Sequence, residues 1–247
     1  MNYKEFGCGH EKTVLLLHGG GLSWWNYREA AQDLGEDFHV VLPILDGHAE
    51  ADRPFTSIED NAAEIVAWIR THLGGQIFAL GGLSLGGQIA LEMLAQDGGL
   101  CEHALIESAM AIPSRATAAM IRPAFGCSYP LVKQKWFARM QFRSLHIRED
   151  LFEDYFRDTA RIAKADMIAF LEASTLYAPK EALRQCTADV CIFCGGRETR
   201  GIRKSAEILG DLFPHSTVRV LPGMVHGDFS INHAHEFAET IRSFASE

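Results

Sequence analysis

Long apolar runs are missing from this chain. No stretch approaches the roughly twenty apolar residues that a bilayer-spanning helix needs. The first residues, Met-Asn-Tyr-Lys-Glu-Phe-Gly, lack the apolar core of an export leader. Basic charge is also scarce: 23 Lys and Arg stand against 32 Asp and Glu, a net charge of −9. Nucleic-acid binding favours a basic surface, so that class is excluded. The expectation is a cytoplasmic protein whose partner is a small molecule, with no role for membrane or nucleic acid. Internal repeats and low-complexity linkers are absent, and 247 residues fit one large domain. The cysteines (Cys8, Cys101, Cys127, Cys186, Cys191 and Cys194) are not spaced like a small stapled scaffold. Cys191 and Cys194 form a C-x-x-C, but they lie in the apolar run Val190-Cys-Ile-Phe-Cys194 and read as small hydrophobes in a buried strand.

What the chain does contain is alternation. Apolar β-type runs at Val14–Leu17, Phe38–Leu42, Ile77–Leu80, His103–Ile106, Val190–Cys194 and Thr217–Leu221 take turns with helix-type segments. This is the pattern of an α/β fold, a mainly parallel central sheet with helices on both faces. A short edge strand is expected near Asn2–Phe6. Ile58, Ala62, Ile65 and Ile69 repeat at helical spacing, predicting a helix over 57–73 with Thr56 and Glu59 as a capping box and Gly74-Gly75 as its stop. A second helix is predicted from Leu85 to about Asp97. Between the last two strand pairs the alternation breaks. Residues 112–186 carry no strand pattern and read as a helical cap or lid inserted into a core of residues 1–111 and 187–247.

The strand at Ile77 runs into Gly82-Leu-Ser-Leu-Gly86, which matches G-x-S-x-G, the nucleophile elbow. Such a turn leaves no room for side chains at 82 and 86 and thrusts the Ser84 hydroxyl outward. A serine needs a base within hydrogen-bond reach. His226, in the loop after the last strand, is the candidate by position; His233 and His235 begin the final helix and read as solvated. The base needs an orienting acid, and the chain order is serine, acid, histidine. Glu198 fits, with Glu107 as the competitor. The glycines of Leu17-His-Gly-Gly-Gly21 expose N–H groups, so Gly20 and Leu85 are the predicted oxyanion donors, with Gly21 the alternative to Gly20 and His18 holding the loop.

With these motifs in hand, the chain resembles a single-domain serine hydrolase of the α/β-hydrolase superfamily with a helical cap. The resemblance rests on His18–Gly21, Asp46-Gly-His48, the elbow at 82–86, Gly195–Glu198 and His226, and it spans nearly the whole length. Glu198 stands where most relatives carry Asp. Ser84 separates the chain from haloalkane dehalogenases and epoxide hydrolases, which share the fold but use a carboxylate nucleophile. The resemblance implies a Ser-His-Glu triad acting through an acyl-enzyme on a carboxylic ester, with neither metal nor organic cofactor. Its alternatives are C–C bond hydrolysis or acyl transfer on the same triad, and a non-catalytic ligand-binding protein. Trp24, Trp25 and Trp136 are candidate pocket residues. Residues 110–187 hold 12 Lys and Arg against 8 Asp and Glu, which reads as solvated cap faces or as attraction for an anionic substrate.

Overall fold

The computed structural model describes residues 1–245, with the side chain of Cys127 outside the described residues. Seven strands form one sheet: β1 (Tyr3–Phe6), β2 (Thr13–Leu17), β3 (His39–Pro43), β4 (Ile77–Leu83), β5 (Cys101–Glu107), β6 (Asp189–Gly195) and β7 (Ser216–Leu221). Their order is β1-β3-β2-β4-β5-β6-β7. All neighbours run parallel except β1, which lies antiparallel on β3 with Tyr3 opposite Pro43 and Phe6 opposite Val40. Each predicted run becomes a strand. β4 continues three residues beyond its predicted end, because its glycines are paired on both sides, Gly82 with Leu17 of β2 and Ile106 of β5.

The period of two in a strand sends alternate side chains to opposite faces. Leu15 and Leu17 of β2 join one core layer, Val14 and Leu16 the other. The first layer is closed by α2 (Ile58–His72), α3 (Leu85–Gln96) and α8 (Arg200–Leu212). The second is closed by α1 (Arg28–Leu34) and, near the C-terminus, α9 (Asp228–Asn232) and α10 (Ala234–Phe244). Cys191 and Cys194, three apart in β6, fall in different layers, so the strand itself holds them on opposite faces. One local prediction is corrected. The cap of α2 is Ser57, whose Oγ accepts the N–H of Asp60 at 3.0 Å, rather than Thr56 paired with Glu59. Two overlapping capping patterns lie one residue apart, and burial of Ile58 and Ala62 selects the register.

Between β5 and β6 run four helices with no intervening strand: α4 (Arg115–Val132), α5 (Lys135–Ser144), α6 (Phe152–Thr159) and α7 (Lys164–Leu176). They are tied to the rest at several points. Gln88 of α3 donates to the carbonyls of Met110 at 2.8 Å and Ser174 at 2.9 Å. Asn232 of α9 clamps the segment between α5 and α6, donating to His146 O at 2.9 Å and accepting from Arg148 N–H at 3.3 Å. The Arg148 guanidinium reaches Glu29 at 2.6 Å. No described helix is long and apolar enough to cross a membrane.

Candidate active site

The turn from β4 into α3 is closed so tightly that only glycine fits beside the serine. A Cβ on Gly82 would lie 2.3 Å from Gly86 O, and one on Gly86 would lie 2.1 Å from Leu17 O. Ser84 itself sits at φ 54°, ψ −112°, a conformation that L-residues adopt only under constraint. Its N–H donates to Glu107 O at 2.8 Å, which ties the elbow to the end of β5. Leu85 begins α3, so its N–H has no carbonyl one turn earlier to satisfy it.

The glycine loop after β2 packs against this turn: a Cβ on Gly20 would lie 3.5 Å from Leu85 Cβ. Two histidines hold the loop. His18, fully buried, bonds Gly19 O through Nδ1 at 2.9 Å and accepts the N–H of Leu45 on Nε2 at 3.2 Å. His48 bonds Asp46 O through Nδ1 at 3.0 Å and accepts the N–H of Gly21 on Nε2 at 3.0 Å. Burial pushes the His18 pKa well down, assisted by the nearby His48 and opposed by the Gly19 carbonyl. Burial also lowers His48 to about 4. Both rings are therefore neutral clamps with each nitrogen committed. Because Gly21 spends its N–H on His48, Gly20 is the remaining donor of the pair considered.

At the far end of the sheet, Nδ1 of His226 lies 2.8 Å from Oε2 of Glu198. A carboxylate can only accept, so the imidazole donates and Nε2 is left with its lone pair. The other oxygen, Oε1, accepts the Ser108 hydroxyl at 2.6 Å and the Gly195 N–H at 2.9 Å. Burial pushes the Glu198 carboxyl up, but the His226 hydrogen bond and charge, with Ser108 and Gly195, outweigh it and hold the pKa below its usual range. Glu107 is turned elsewhere. Its carboxylate accepts the N–H groups of Phe229 at 3.1 Å and Ser230 at 3.2 Å, at the start of α9. Burial raises it to about 7.

Ser84 and His226 line the same two cavities. One, of about 120 Å³, has walls of Leu22, Leu83, Leu145, Ile147 and Ile231. The other, of about 260 Å³, includes Met110, Ser114, Thr117, Ser174, Thr175 and Ile202. A hollow of about 300 Å³ beside His10, His39 and Phe78 lies at the amino ends of β2 to β5, the wrong end of a parallel sheet for a crevice site.

The three tryptophans expected at the pocket are not there. Trp25 is buried and donates from Nε1 to Asp158 of α6 at 2.9 Å; Trp24 lies under the Arg28 guanidinium; Trp136 is 64% exposed on α5. Nearness in sequence to the glycine loop misleads, because Trp25 is held by Asp158 and Trp24 by Arg28. Sequence reasoning also missed Ser108 and the 145–147 segment. Ser108 had a signal, since it follows the last residue of β5 at the carboxyl end of the sheet. The 145–147 wall had none, for only tertiary packing brings it to Ser84.

The model of the alpha/beta hydrolase family matches residues 14–240, and the chain belongs to that family. A soluble epoxide hydrolase from Corynebacterium sp. (strain C12) is 30% identical over 107 residues, 43% of this chain. The match spans 37% of that relative, so the chain covers little more than a third of its length. Among solved structures, an esterase from Exiguobacterium antarcticum is similar at a TM-score of 0.82 and 18% identity, over 99% of this chain and 95% of that one. An enol-lactonase from Burkholderia xenovorans LB400 is similar at 0.80 and 14% identity, over 100% and 96%. At these identities the likeness is one of fold.

Proposed function

We propose that the chain hydrolyses carboxylic esters, with Ser84 as nucleophile, His226 as general base and Glu198 as the acid that orients it. The observation that carries this reading is the Glu198–His226 hydrogen bond, made on Nδ1, while Ser84 and His226 border a common cavity. In the cycle, Nε2 of His226 takes the Ser84 proton as Oγ bonds to the acyl carbon. The carbonyl oxygen becomes an oxyanion held by the N–H groups of Gly20 and Leu85. The alkoxide departs with the proton from His226, and a water deprotonated by the same nitrogen then releases the acid. The His226 side chain is 45% exposed, which gives water a route to the acyl-enzyme. Residues 112–186 act as the cap that shapes the substrate's surroundings.

Two observations narrow the chemistry. A serine at the elbow supports acyl transfer to oxygen rather than the carboxylate attack used on epoxides. No lysine or arginine among the described residues lines either cavity, which weighs against a keto-acid substrate for C–C cleavage and against capture of an anion by the cap. The test is turnover of nitrophenyl acyl esters by wild type, Glu198→Ala and Glu107→Ala. A pre-steady-state burst in wild type and a fall in kcat of about a hundredfold or more in Glu198→Ala are expected, the scale of losing a triad's acid. A larger loss in Glu107→Ala than in Glu198→Ala assigns the acid to Glu107 instead.

A further inference from the structure

The two cavities that meet at Ser84 and His226 are chemically unlike, and the difference describes the two arms of a substrate. Apart from Ser84 and His226, the side chains lining the smaller cavity are aliphatic: Leu22, Leu83, Leu145, Ile147 and Ile231. At roughly 30 Å³ per non-hydrogen group, the share of one water molecule, its volume of about 120 Å³ holds about four groups. A hydroxyl entering it leaves water and finds no partner.

The larger cavity carries hydroxyls. Thr117, Ser114, Ser174 and Thr175 line it from α4 and α7, interleaved with Met110, Ile112 and Ile202. Ser114 Oγ and Thr117 Oγ1 are 2.7 Å apart, and the Ser114 N–H donates to Thr175 O at 2.9 Å, so the two helix ends form one continuous wall. Side-chain hydroxyls both donate and accept and carry no charge. They suit a ligand that itself bears hydroxyls, while the methyl and thioether groups between them suit its C–H faces. Ser108 lines the same cavity, but its hydroxyl is spent on Glu198.

Resting on the ester-hydrolase reading above, we infer that the substrate class is a neutral ester with one apolar arm of about four carbons and one polyhydroxylated arm, such as a short-chain ester of glycerol or of a sugar. The short arm lies between Leu22 and Ile147; the hydroxylated arm lies along the Ser114–Thr117 and Ser174–Thr175 wall. Attack by Ser84 on the carbonyl between them transfers the acyl group to Oγ, and the alcohol arm leaves with the His226 proton.

The experiment compares kcat/KM for propyl butyrate, glycerol 1-butyrate and propyl 3,4-dihydroxybutanoate, which match in arm length, with each rate normalised to a fluorophosphonate active-site titre. The pair of hydroxylated esters covers both orientations of the carbonyl. At least one is expected to exceed propyl butyrate tenfold or more. In Thr117→Val/Ser174→Ala/Thr175→Val that ratio is expected to fall at least fivefold. In Ile147→Phe, rates are expected to fall more steeply as the apolar arm grows from methyl to propyl, a second readout should the triple variant give no titre. Propyl butyrate turned over as fast as both hydroxylated esters, or a ratio unchanged in the triple variant, overturns the inference and leaves the ester-hydrolase reading standing. No titre and no turnover of any ester by wild type overturns that reading, and the inference with it.

Discussion

Ser108 donates its hydroxyl to Oε1 of Glu198 at 2.6 Å, committing one carboxylate oxygen to the scaffold while Oε2 serves His226. Glu198 is longer by one carbon than an aspartate and needs such a brace to hold its carboxylate still. Ser108→Ala removes a donor to an anion, so the Glu198 pKa rises and the carboxylate loses the contact that fixes its position against His226. A hydrogen bond to a charged group is worth about 1.5–3 kcal/mol, so kcat is expected to fall roughly ten- to a hundredfold. A kcat within twofold of wild type shows that the brace has no part in turnover.

Glu107 gives stability a pH dependence of its own. Burial raises its carboxyl from 4.5 to about 7, so the folded chain keeps a proton that the unfolded chain has lost. The native state binds more protons in that window, and this group's contribution falls by roughly 3 kcal/mol as pH rises from about 4.5 to about 7. Glu107→Gln keeps a carbonyl oxygen for the Phe229 and Ser230 N–H groups but does not titrate. Relative to wild type, its unfolding free energy should climb by about that amount between pH 5 and pH 8, then level off. A difference that stays constant across the range means the native carboxyl is already ionised at pH 5.

Asn232 holds the apolar wall in place through its two bonds to the backbone at His146 and Arg148. Each is worth about 1 kcal/mol, so Asn232→Ala should raise KM for short apolar esters by up to roughly thirtyfold while kcat changes much less. Steady-state kinetics on a nitrophenyl ester series read this directly. A fall confined to kcat means that the clamp acts on His226, in the loop that leads into α9, rather than on the pocket.

The elbow was legible because its requirement is local. Gly82 and Gly86 are demanded by the few atoms around them, and the motif states that demand in five residues. The strands were legible for a similar reason, since burial on both faces of a parallel sheet leaves a continuous apolar run. Ser57 was missed because a neighbouring Thr-Glu pair satisfies the same local rule, and packing of Ile58 decides between them. The three tryptophans were misplaced because a ring's direction follows from tertiary contacts, such as Trp25 with Asp158, 133 residues apart. Ser108 follows β5 at the carboxyl end of the sheet, which was legible, but its φ of 55° and its bond to Glu198, 90 residues away, depend on tertiary packing.

Gly86→Ala tests the close approach that builds the elbow. Its Cβ would stand 2.1 Å from Leu17 O, a contact with backbone that no rotamer relieves. Overpacking of this kind costs about 3 kcal/mol, which for a chain of this size is a fall in Tm of roughly 6–12 °C. Differential scanning calorimetry measures it, and melting at the wild-type temperature contradicts so tight a turn.

Covalent labelling reaches the central claim most directly. Intact protein treated with a fluorophosphonate and digested for peptide mass analysis should carry one phosphonyl group, on Ser84. Labelling should vanish in Ser84→Ala and slow by at least about a hundredfold in His226→Ala, whose serine has lost its base. A Ser84→Ala protein that labels as fast as wild type contradicts the account outright.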